Sequence, residues 1–275
     1  MKKLIFLDID GTLTEPGSNM PPESALRAVR GAREKGHYVF LCTGRNYDML
    51  SPLLSFGFDG VVASCGGYVR FGDQVLYDCP MTGDQTERAM KVLEDWGVFY
   101  TIECLDGTYT DGRLRKFLQS RGTEGANSEL LRWRRQIEES LNIRPMEEYR
   151  GQPVYKMVIM TDSRERLEEP VKAMGQEFEL CLQEPDRYGY INGELVNRRF
   201  DKGKGIERVC KYLGIPLENT VGFGDSANDE AMLRTVGLSV CMADGSEEMK
   251  KLADDVCPPV AEDGLLRGFE KHGLC

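Results

Sequence analysis

Short apolar runs alternate with longer helical patterns near both ends of the chain, and this alternation restricts it to few folds. Strand-like runs occur at Leu4–Leu7, Tyr38–Cys42 and residues 61–63, and helix-like stretches at residues 23–35 and 46–56 lie between them. Apolar strands separated by helices are typical of a parallel sheet covered on both faces. The sequence therefore predicts an α/β fold with a Rossmann-like, doubly wound parallel sheet.

The pattern of apolar and polar residues changes between about residues 81 and 186, where amphipathic helical patterns accompany more polar strands. From Lys202 onwards the alternation of strands and helices resumes. We therefore expect a discontinuous core, residues 1–80 and 187–275, with residues 81–186 inserted into it as an α+β domain. An insertion of this size is within the usual range for a domain.

The charge balance of the 275-residue chain argues against polyanionic partners. The chain holds 35 Lys and Arg against 45 Asp and Glu, which gives a net charge of -10. A surface with this acidic excess repels nucleic acid and anionic lipid. No apolar stretch approaches the roughly 18 residues that suggest a membrane span. We expect neither nucleic acid nor a membrane as a partner.

The cysteines and the N-terminus point to a cytoplasmic protein. Nine cysteines are an odd number without a C-x-x-C pair, and several fall in strand-like runs, as reduced core thiols do. The first apolar run stops at Asp8 after four residues, short of the roughly 7–15 of a signal peptide core. The two histidines, His37 and His272, do not lie near any candidate group of metal ligands in the sequence, which argues against a zinc site and against catalysis by histidine.

Three of the apolar runs end in small groups of polar residues. These groups are Asp8-Ile-Asp10-Gly-Thr12, Thr43-Gly-Arg45 and Gly224-Asp225-Ser-Ala-Asn228-Asp229. Ligands of open α/β sheets bind beyond the carboxyl ends of the strands. We therefore expect the three groups to converge on one site.

Asp8, Asp10 and Asp225 would bring three carboxylates together at this site. Without a cation they would repel one another or take up protons. A hard divalent ion resolves the conflict, and few protein ligands favour Mg2+ over a Ca2+ cage. An EF-hand starting at Asp8 is excluded, because Leu13 and Asn19 stand where Gly and Glu are required. A plain surface turn is the alternative, but the polar groups at two other strand ends argue against it.

Thr43, Gly44 and Lys202 each have two interpretations. Thr43 and Gly44 precede a helix-like stretch, where they could cap the helix or bind a phosphate through a hydroxyl and an amide. Lys202 begins a helix-like stretch, where the helix dipole disfavours a cation, so its position suggests a nearby anion. A solvated surface lysine is the alternative, since Lys204 is an equally basic neighbour.

A dinucleotide-binding motif competes with this interpretation. Gly222-Phe-Gly224-Asp-Ser-Ala227 fits the G-x-G-x-x-[GA] pattern, and Asp244 follows at the distance of a ribose-binding acid. The pattern normally opens the first strand–helix unit, whereas this copy lies near the C-terminus. Asp229 and Glu230 also crowd the helix start where a pyrophosphate would bind. These observations disfavour an NAD-binding oxidoreductase.

At these residues the chain resembles the haloacid dehalogenase (HAD) superfamily, specifically its Cof-type, subfamily IIB sugar phosphatases. The residues 8–12 match the D-x-D-G-T motif, 43–45 the second motif, Asp201-Lys202-Gly the lysine motif, and 224–229 the G-D-x-x-N-D motif. The resemblance implies that the inserted domain is a C2-type cap, which covers the site and selects the substrate.

The resemblance has two departures. Cys65-Gly-Gly67 stands where the family usually has Asn-Gly-Ala, and Ala243-Asp-Gly245 where it usually has Gly-Asn-Ala. By this resemblance the changes would bear on local loop contacts and substrate preference, but they leave the implied nucleophile and metal positions in place.

The resemblance also implies a role for each matched residue. Asp8 would be the nucleophile, Asp10 the general acid and base, and Asp229 would orient Lys202. Mg2+ would be held by Asp8, the backbone carbonyl of Asp10, and Asp225. Arg45 would either reach the substrate or pair with a carboxylate. The phosphoryl oxygens would be bound by Ile9 and Gly44 through their amides, and by Thr43, Lys202 and Asn228.

We therefore expect a Mg2+-dependent phosphatase that hydrolyses a small phosphorylated metabolite, such as a sugar phosphate, through an aspartyl-phosphate. A phosphomutase would instead return the phosphoryl group to a sugar hydroxyl. A ligand-binding module without catalysis is disfavoured, because each carboxylate and lysine of the motifs is present.

Overall fold

A computed structural model describes residues 1–112, 114, 143–182, 185 and 189–275. The chain divides into two compact units, which are described separately here. The predicted boundary between residues 186 and 187 lies outside the described residues. Unit 1 contains Met1–Arg45, Leu50–Asp78 and Phe200–Cys275, and unit 2 contains Asn46–Met49 and Cys79–Arg199.

Unit 1 is built on an eight-stranded sheet with the order β14-β13-β12-β1-β2-β3-β4-β5. Neighbouring strands from β14 to β3 are parallel, whereas β4 and β5 form an antiparallel hairpin at one edge. The strands are β1 Leu4–Leu7, β2 Tyr38–Cys42, β3 Gly60–Ala63, β4 Tyr68–Phe71, β5 Gln74–Asp78, β12 Thr220–Gly224, β13 Leu238–Met242 and β14 Asp255–Cys257.

Helices cover both faces of this sheet, as the doubly wound prediction requires. Phe6 of β1 belongs to the same buried cluster as Ile206 and Val209 on one face. On the other face, the rings of Phe223 and Phe269 lie 5.2 Å apart. The helices of unit 1 are α1 Glu23–Glu34, α2 Ser51–Leu54, α5 Lys202–Leu213, α6 Glu230–Thr235, α7 Glu247–Leu252 and α8 Gly264–Lys271.

One predicted helix is much shorter than expected. The pattern at residues 46–56 predicts a helix, but the chain forms a 3-10 turn at Asp48–Leu50 and then only α2. The Asn46 side chain accepts the amide of Met49 at 3.0 Å, a cap-type contact that places Asn46 ahead of the first helical turn. Pro52 lies in the first turn of α2, where proline is tolerated.

Unit 2 is an α+β structure with a six-stranded sheet in the order β10-β11-β9-β6-β7-β8. Its strands are antiparallel except for the β7–β8 pair. Side chains of one sheet face, such as Ile102 and Ile159, share a buried cluster with Ala89 and Leu93 of a helix. The elements are α3 Gly83–Asp95, β6 Phe99–Cys104, β7 Gly107–Thr110, β8 Ile143–Pro145, β9 Val154–Thr161, α4 Glu168–Met174, β10 Phe178–Leu182 and β11 Ile191–Asn197.

Two further observations concern the whole described chain. All nine cysteines are free thiols. Among the helices that the structure describes, none is both long enough and apolar enough to cross a membrane.

Candidate active site

The polar groups predicted to converge leave the sheet of unit 1 at its carboxyl end. Asp8 follows β1, Thr43 follows β2 and Asp225 follows β12. Because β1 lies between β2 and β12, the three groups emerge side by side. The Asp8 amide donates to the carbonyl of Phe223 at 3.0 Å, which ties the end of β1 to β12. The parallel sheet therefore positions the site.

Lys202 is the centre of the charged network. Its ammonium nitrogen Nζ lies 2.7 Å from Asp8 Oδ1, 2.6 Å from Asp229 Oδ1 and 3.0 Å from Asn228 Oδ1. Burial alone would lower the pKa of Lys202, but Asp229 and Asp8 raise it well above its ordinary value. The ammonium group is therefore charged and only 1% exposed, so Lys202 is not a solvated surface lysine.

The start of α5 is packed closely enough to bury Lys202. Asp201 caps the helix by accepting the amide of Lys204 at 2.7 Å. A Cβ on Gly203 would lie 2.6 Å from the carbonyl oxygen of Ala231 in α6, so glycine permits this approach. The Asp-Lys-Gly sequence thus places a cation at a helix N-terminus where two carboxylates offset the unfavourable helix dipole.

Asp8, Asp225 and Asp229 form a compact acidic group. One carboxylate oxygen from each lies within 4.8 Å of the others. Burial, followed by the charge of Asp229, raises the pKa of Asp8 to about 7. Burial, followed by the charge of Asp8, raises the pKa of Asp225 to about 9. The ionised group is therefore under electrostatic repulsion that a divalent cation would relieve, and its oxygen donors suit a hard cation.

The residues around Asp225 leave room for its carboxylate. Thr12 Oγ1 donates to Asp225 Oδ1 at 3.3 Å. Gly11 has a φ of +88°, and a Cβ there would lie 2.7 Å from Asp225 Oδ2. Glycine is therefore required at this position both by the backbone conformation and by the carboxylate opposite.

The acidic group contains Asp229 where the strand geometry predicted Asp10. The prediction assumed an extended chain beyond β1, in which Asp8 and Asp10 would point the same way. The chain instead turns at Gly11, and Asp10 pairs with Thr14 in an isolated bridge. Asp229 Oδ2 accepts the Asp225 amide at 3.0 Å, which holds Asp229 inside the group.

Arg45 pairs with a carboxylate, which is one of its two predicted alternatives. Its Nε lies 2.9 Å from Asp10 Oδ2, and its Nη2 lies 2.7 Å from Asp10 Oδ1. The Arg45 side chain is 1% exposed, and that of Asp10 is 22% exposed. The pair is therefore bidentate, with Arg45 on its buried side.

Thr43, Gly44 and Ile9 are buried in the two segments that follow β1 and β2. Thr43 Oγ1 accepts the amide of Arg45 at 3.1 Å, so the hydroxyl takes part in a local turn. A hydroxyl that accepts one hydrogen bond can still donate its own hydrogen. Both sequence interpretations of Thr43, a local cap and a phosphate ligand, are therefore compatible with the geometry.

A strained turn at residues 64–66 supports the Thr43–Arg45 segment. Ser64 and Cys65 have φ values of 49° and 56°, in the left-handed region. The Ser64 amide donates to the carbonyl of Arg45 at 2.8 Å, and the Cys65 amide donates to that of Thr43 at 3.0 Å. Cys65 therefore occupies a conformation that asparagine, the residue of the family pattern, adopts more readily.

Packing explains the glycines of the dinucleotide pattern. A Cβ on Gly222 would lie 3.1 Å from Met232, and one on Gly224 would lie 2.6 Å from the Asp229 carboxyl carbon. Asp229 Oδ2 also accepts the amide of Ser226 at 3.2 Å, in the turn where the pattern would bind a pyrophosphate. The glycines thus bring α6 and the Asp229 side chain close to β12.

Sequence reasoning assigned no role to several residues that contact the site. Thr12 is the last residue of the D-x-D-G-T motif, and this position two residues after Asp10 is the signal that could identify it. Ser18 and Asn19 contact Arg45, at 3.1 Å and 2.6 Å. No periodicity or motif in the sequence distinguishes these two residues, because a loop folds them back onto Arg45.

Comparison with known proteins agrees with this fold. The family model of haloacid dehalogenase-like hydrolases matches residues 5–269. The chain therefore belongs to the haloacid dehalogenase-like hydrolases, and the resemblance inferred from the motifs is confirmed. Its relatives in the family include named phosphatases of several kinds.

Three relatives illustrate this range. Phosphatase YwpJ of Bacillus subtilis is 28% identical, with the alignment covering 99% of this chain and 100% of YwpJ. Phosphoglycolate phosphatase of Methanopyrus kandleri is 28% identical, with 98% of this chain and 97% of that protein covered. A solved HAD subclass IIB sugar phosphatase is 26% identical with a TM-score of 0.77, and both chains are covered completely.

Proposed function

We propose that this protein is a Mg2+-dependent phosphatase that hydrolyses small phosphomonoesters through an aspartyl-phosphate. The observation that carries the proposal is the placement of Asp8: a buried carboxylate at the end of β1, 2.7 Å from the Lys202 ammonium. A carboxylate beside a buried cation can attack an anionic phosphoryl group whose charge the cation offsets.

Asp8 supplies the nucleophile. One Asp8 oxygen forms a bond to phosphorus while the bond from phosphorus to the leaving oxygen breaks, and the bonding pair stays on that oxygen. Asp10 donates a proton to the leaving oxygen and then accepts one from the water that attacks the aspartyl-phosphate. Hydrolysis releases inorganic phosphate and restores the Asp8 carboxylate.

The remaining site residues bind the phosphoryl oxygens. A phosphoryl oxygen takes the place of Asn228 Oδ1, which at 3.0 Å is the longest of the three contacts of the Lys202 ammonium, and the Asn228 amide nitrogen donates to the phosphoryl group from the side of α5 and β12. Thr43 and the amides of Ile9 and Gly44 bind it from the side of β1 and β2. Asp229 orients Lys202 through its 2.6 Å contact. Donors fixed before the reaction are worth about 3–4 kcal/mol each in the transition state.

The cation would be held by Asp8, Asp225 and the backbone carbonyl of Asp10. When bound, Mg2+ supplies positive charge that offsets the repulsion between Asp8 and an anionic substrate. The raised pKa values of Asp8 and Asp225 support this assignment, because ionising both carboxylates together requires a compensating charge.

We propose residues 81–186 as the cap that selects the leaving group, and sugar phosphates as the substrate class. The subclass IIB sugar phosphatase among the structural neighbours supports this choice. The different substrates named in other relatives show that the family's core tolerates several leaving groups. A cytoplasmic location is supported by the nine free thiols.

The test is phosphate release from a panel of sugar phosphates, phosphoglycolate and pyridoxal phosphate with MgCl2. We expect turnover by the wild type, loss of at least a thousandfold in Asp8→Asn, and no loss in Asp73→Asn, an exposed hairpin control. A hydroxylamine-sensitive phosphoenzyme should form on the wild type and on Asp73→Asn, but not on Asp8→Asn. Absence of phosphate release from every substrate would overturn the proposal, and isomeric hexose phosphates as products would indicate a phosphomutase.

A further inference from the structure

The guanidinium group of Arg45 is almost fully occupied by the protein. In addition to the two bonds to Asp10, Nη2 donates to the carbonyl of Ser18 at 3.1 Å and Nη1 donates to Asn19 Oδ1 at 2.6 Å. An arginine side chain carries five N–H donors, and four of them are engaged here. With a side chain 1% exposed, Arg45 has little capacity left to bind a phosphate.

Asp10 is held from more than one direction. Its Oδ1 accepts the amide of Gly17 at 2.9 Å as well as Arg45 Nη2. Arg45 contacts the same loop through Ser18 and Asn19, so the loop, the arginine and the carboxylate brace one another. Asp10 is the more exposed member of the pair, so solvent reaches its carboxylate. Its contacts with Arg45 and Gly17 fix the orientation of that carboxylate.

The backbone of Arg45 is itself fixed. Its amide donates to Thr43 Oγ1 at 3.1 Å, and its carbonyl accepts the Ser64 amide at 2.8 Å. The Asp10 carboxylate is therefore connected through Arg45 to the turn that carries Thr43. A displacement of Arg45 would change the direction of the Asp10 side chain.

We propose that Arg45 is a positioning residue that aims Asp10 at the leaving-group oxygen and does not itself bind the substrate. The proposal rests on the proposed function, in which the Asp10 proton moves to the oxygen that keeps the electron pair of the broken P–O bond. A misdirected acid slows only those reactions in which the leaving oxygen needs a proton, and general acid catalysis typically contributes about 10^2–10^4-fold.

The experiment compares kcat/KM for an alkyl phosphate and for p-nitrophenyl phosphate, with MgCl2 present. This parameter reports the step in which the leaving group departs, and p-nitrophenolate departs without a proton. For Arg45→Met we expect the loss on the alkyl phosphate to exceed the loss on p-nitrophenyl phosphate at least tenfold. The Asp10→Asn/Arg45→Met double variant should be within about twofold of Asp10→Asn, because both changes remove the same contribution.

Arg33→Met is the matched control. Arg33 also forms a two-nitrogen pair with an aspartate, Asp59, through Nε at 3.2 Å and Nη2 at 3.1 Å. This pair lies outside the site, so its loss should leave kcat/KM unchanged for both substrates. If Arg45→Met does not fold, Arg45→Lys and Asn19→Ala decide the question, since each weakens the brace and keeps a charge beside Asp10.

The inference would be overturned if Arg45→Met lost the same factor in kcat/KM on both substrates and if this factor multiplied that of Asp10→Asn in the double variant. That result would assign Arg45 to the phosphoryl group. A wild-type protein without phosphatase activity would instead refute the proposed function. The two failures are therefore distinguishable in one set of measurements.

Discussion

Lys202 Nζ lies 2.7 Å from Asp8 Oδ1, although 194 residues separate them in the chain. Lys202 reaches this position from the first turn of α5, and Asp8 from the end of β1. Because Asp229 contacts the same ammonium, one buried cation faces two buried carboxylates. The stability and the chemistry of the site both depend on this arrangement.

Replacing Lys202 by Met should lower both the stability of the fold and the activity of the site. The two carboxylates lose their cation, and leaving buried charges unpaired costs about 3–5 kcal/mol of folding free energy. Activity should fall about 10^2–10^3-fold, as when an oxyanion contact is removed. Thermal unfolding and kcat/KM measure the two effects. Lys204→Met, at the neighbouring exposed lysine, should change neither.

The double variant Lys202→Met/Asp229→Asn separates stability from chemistry. Neutralising Asp229 relieves part of the repulsion, so the unfolding temperature should recover while activity stays low. Recovery of activity together with stability would show that Lys202 acts only by holding the fold together.

The stabilisation by MgCl2 should grow between about pH 6 and pH 9. The folded pKa values of about 7 for Asp8 and about 9 for Asp225 exceed the unfolded value of 3.8, so the metal-free fold retains protons that the unfolded chain releases. The stability of the metal-free fold therefore declines as the pH rises from the unfolded pKa through the two folded pKa values. A cation competes with those protons, and a concentration of 100 times Kd adds about 2.7 kcal/mol. Melting curves with MgCl2 and with EDTA at several pH values test this.

Asp225→Asn is the control for the cation effect. With a pKa of about 9, Asp225 must take up a proton when the metal-free chain folds at pH 8, whereas the neutral amide needs none, so the metal-free variant should be at least as stable as the wild type at this pH. It should show little response to MgCl2. A shift of equal size in the wild type at pH 6 and pH 9 would contradict the assignment of the acidic group as the cation site.

Gly11→Ala should lower the affinity for the cation in addition to lowering the free energy of unfolding. The φ of +88° makes alanine unfavourable by about 1 kcal/mol, and the new Cβ would lie 2.7 Å from Asp225 Oδ2. Gly36 is a matched control, because it has a φ of +85° and nothing within 4 Å of its Cβ position. Gly36→Ala should lose similar stability and keep wild-type Mg2+ dependence of phosphate release. Equal Mg2+ dependence in the two variants would contradict this reason for Gly11.

Cys65→Asn should stabilise the protein. A left-handed conformation costs most side chains about 1–2 kcal/mol, and asparagine recovers part of this through local hydrogen bonds. A gain of about 0.5–1 kcal/mol corresponds to an unfolding temperature a few degrees higher. Cys65→Val provides the opposite test, because a branched side chain is poorly tolerated at a φ of 56°. A lower unfolding temperature in Cys65→Asn would show that the thiol packing matters more than the backbone.

The sequence alone was sufficient to predict the parallel sheet and the convergence of polar groups beyond its carboxyl end. Runs such as Leu4–Leu7 are apolar on both sides and buried throughout, so their burial pattern can be inferred from composition and order. The ends of such strands lie at one edge of a parallel sheet, which made the convergence of Asp8, Thr43 and Asp225 predictable.

The direction of each side chain beyond the strands was decided by tertiary structure. The turn at Gly11 directed Asp10 towards Arg45, and the tight packing of α6 on β12 brought Asp229 into the acidic group. The position of Arg45 against the Asp10 carboxylate depended on a loop that returns Ser18 and Asn19 to Arg45. Periodicity describes only regular elements, whereas these contacts join residues distant in the chain through turns whose paths depend on packing.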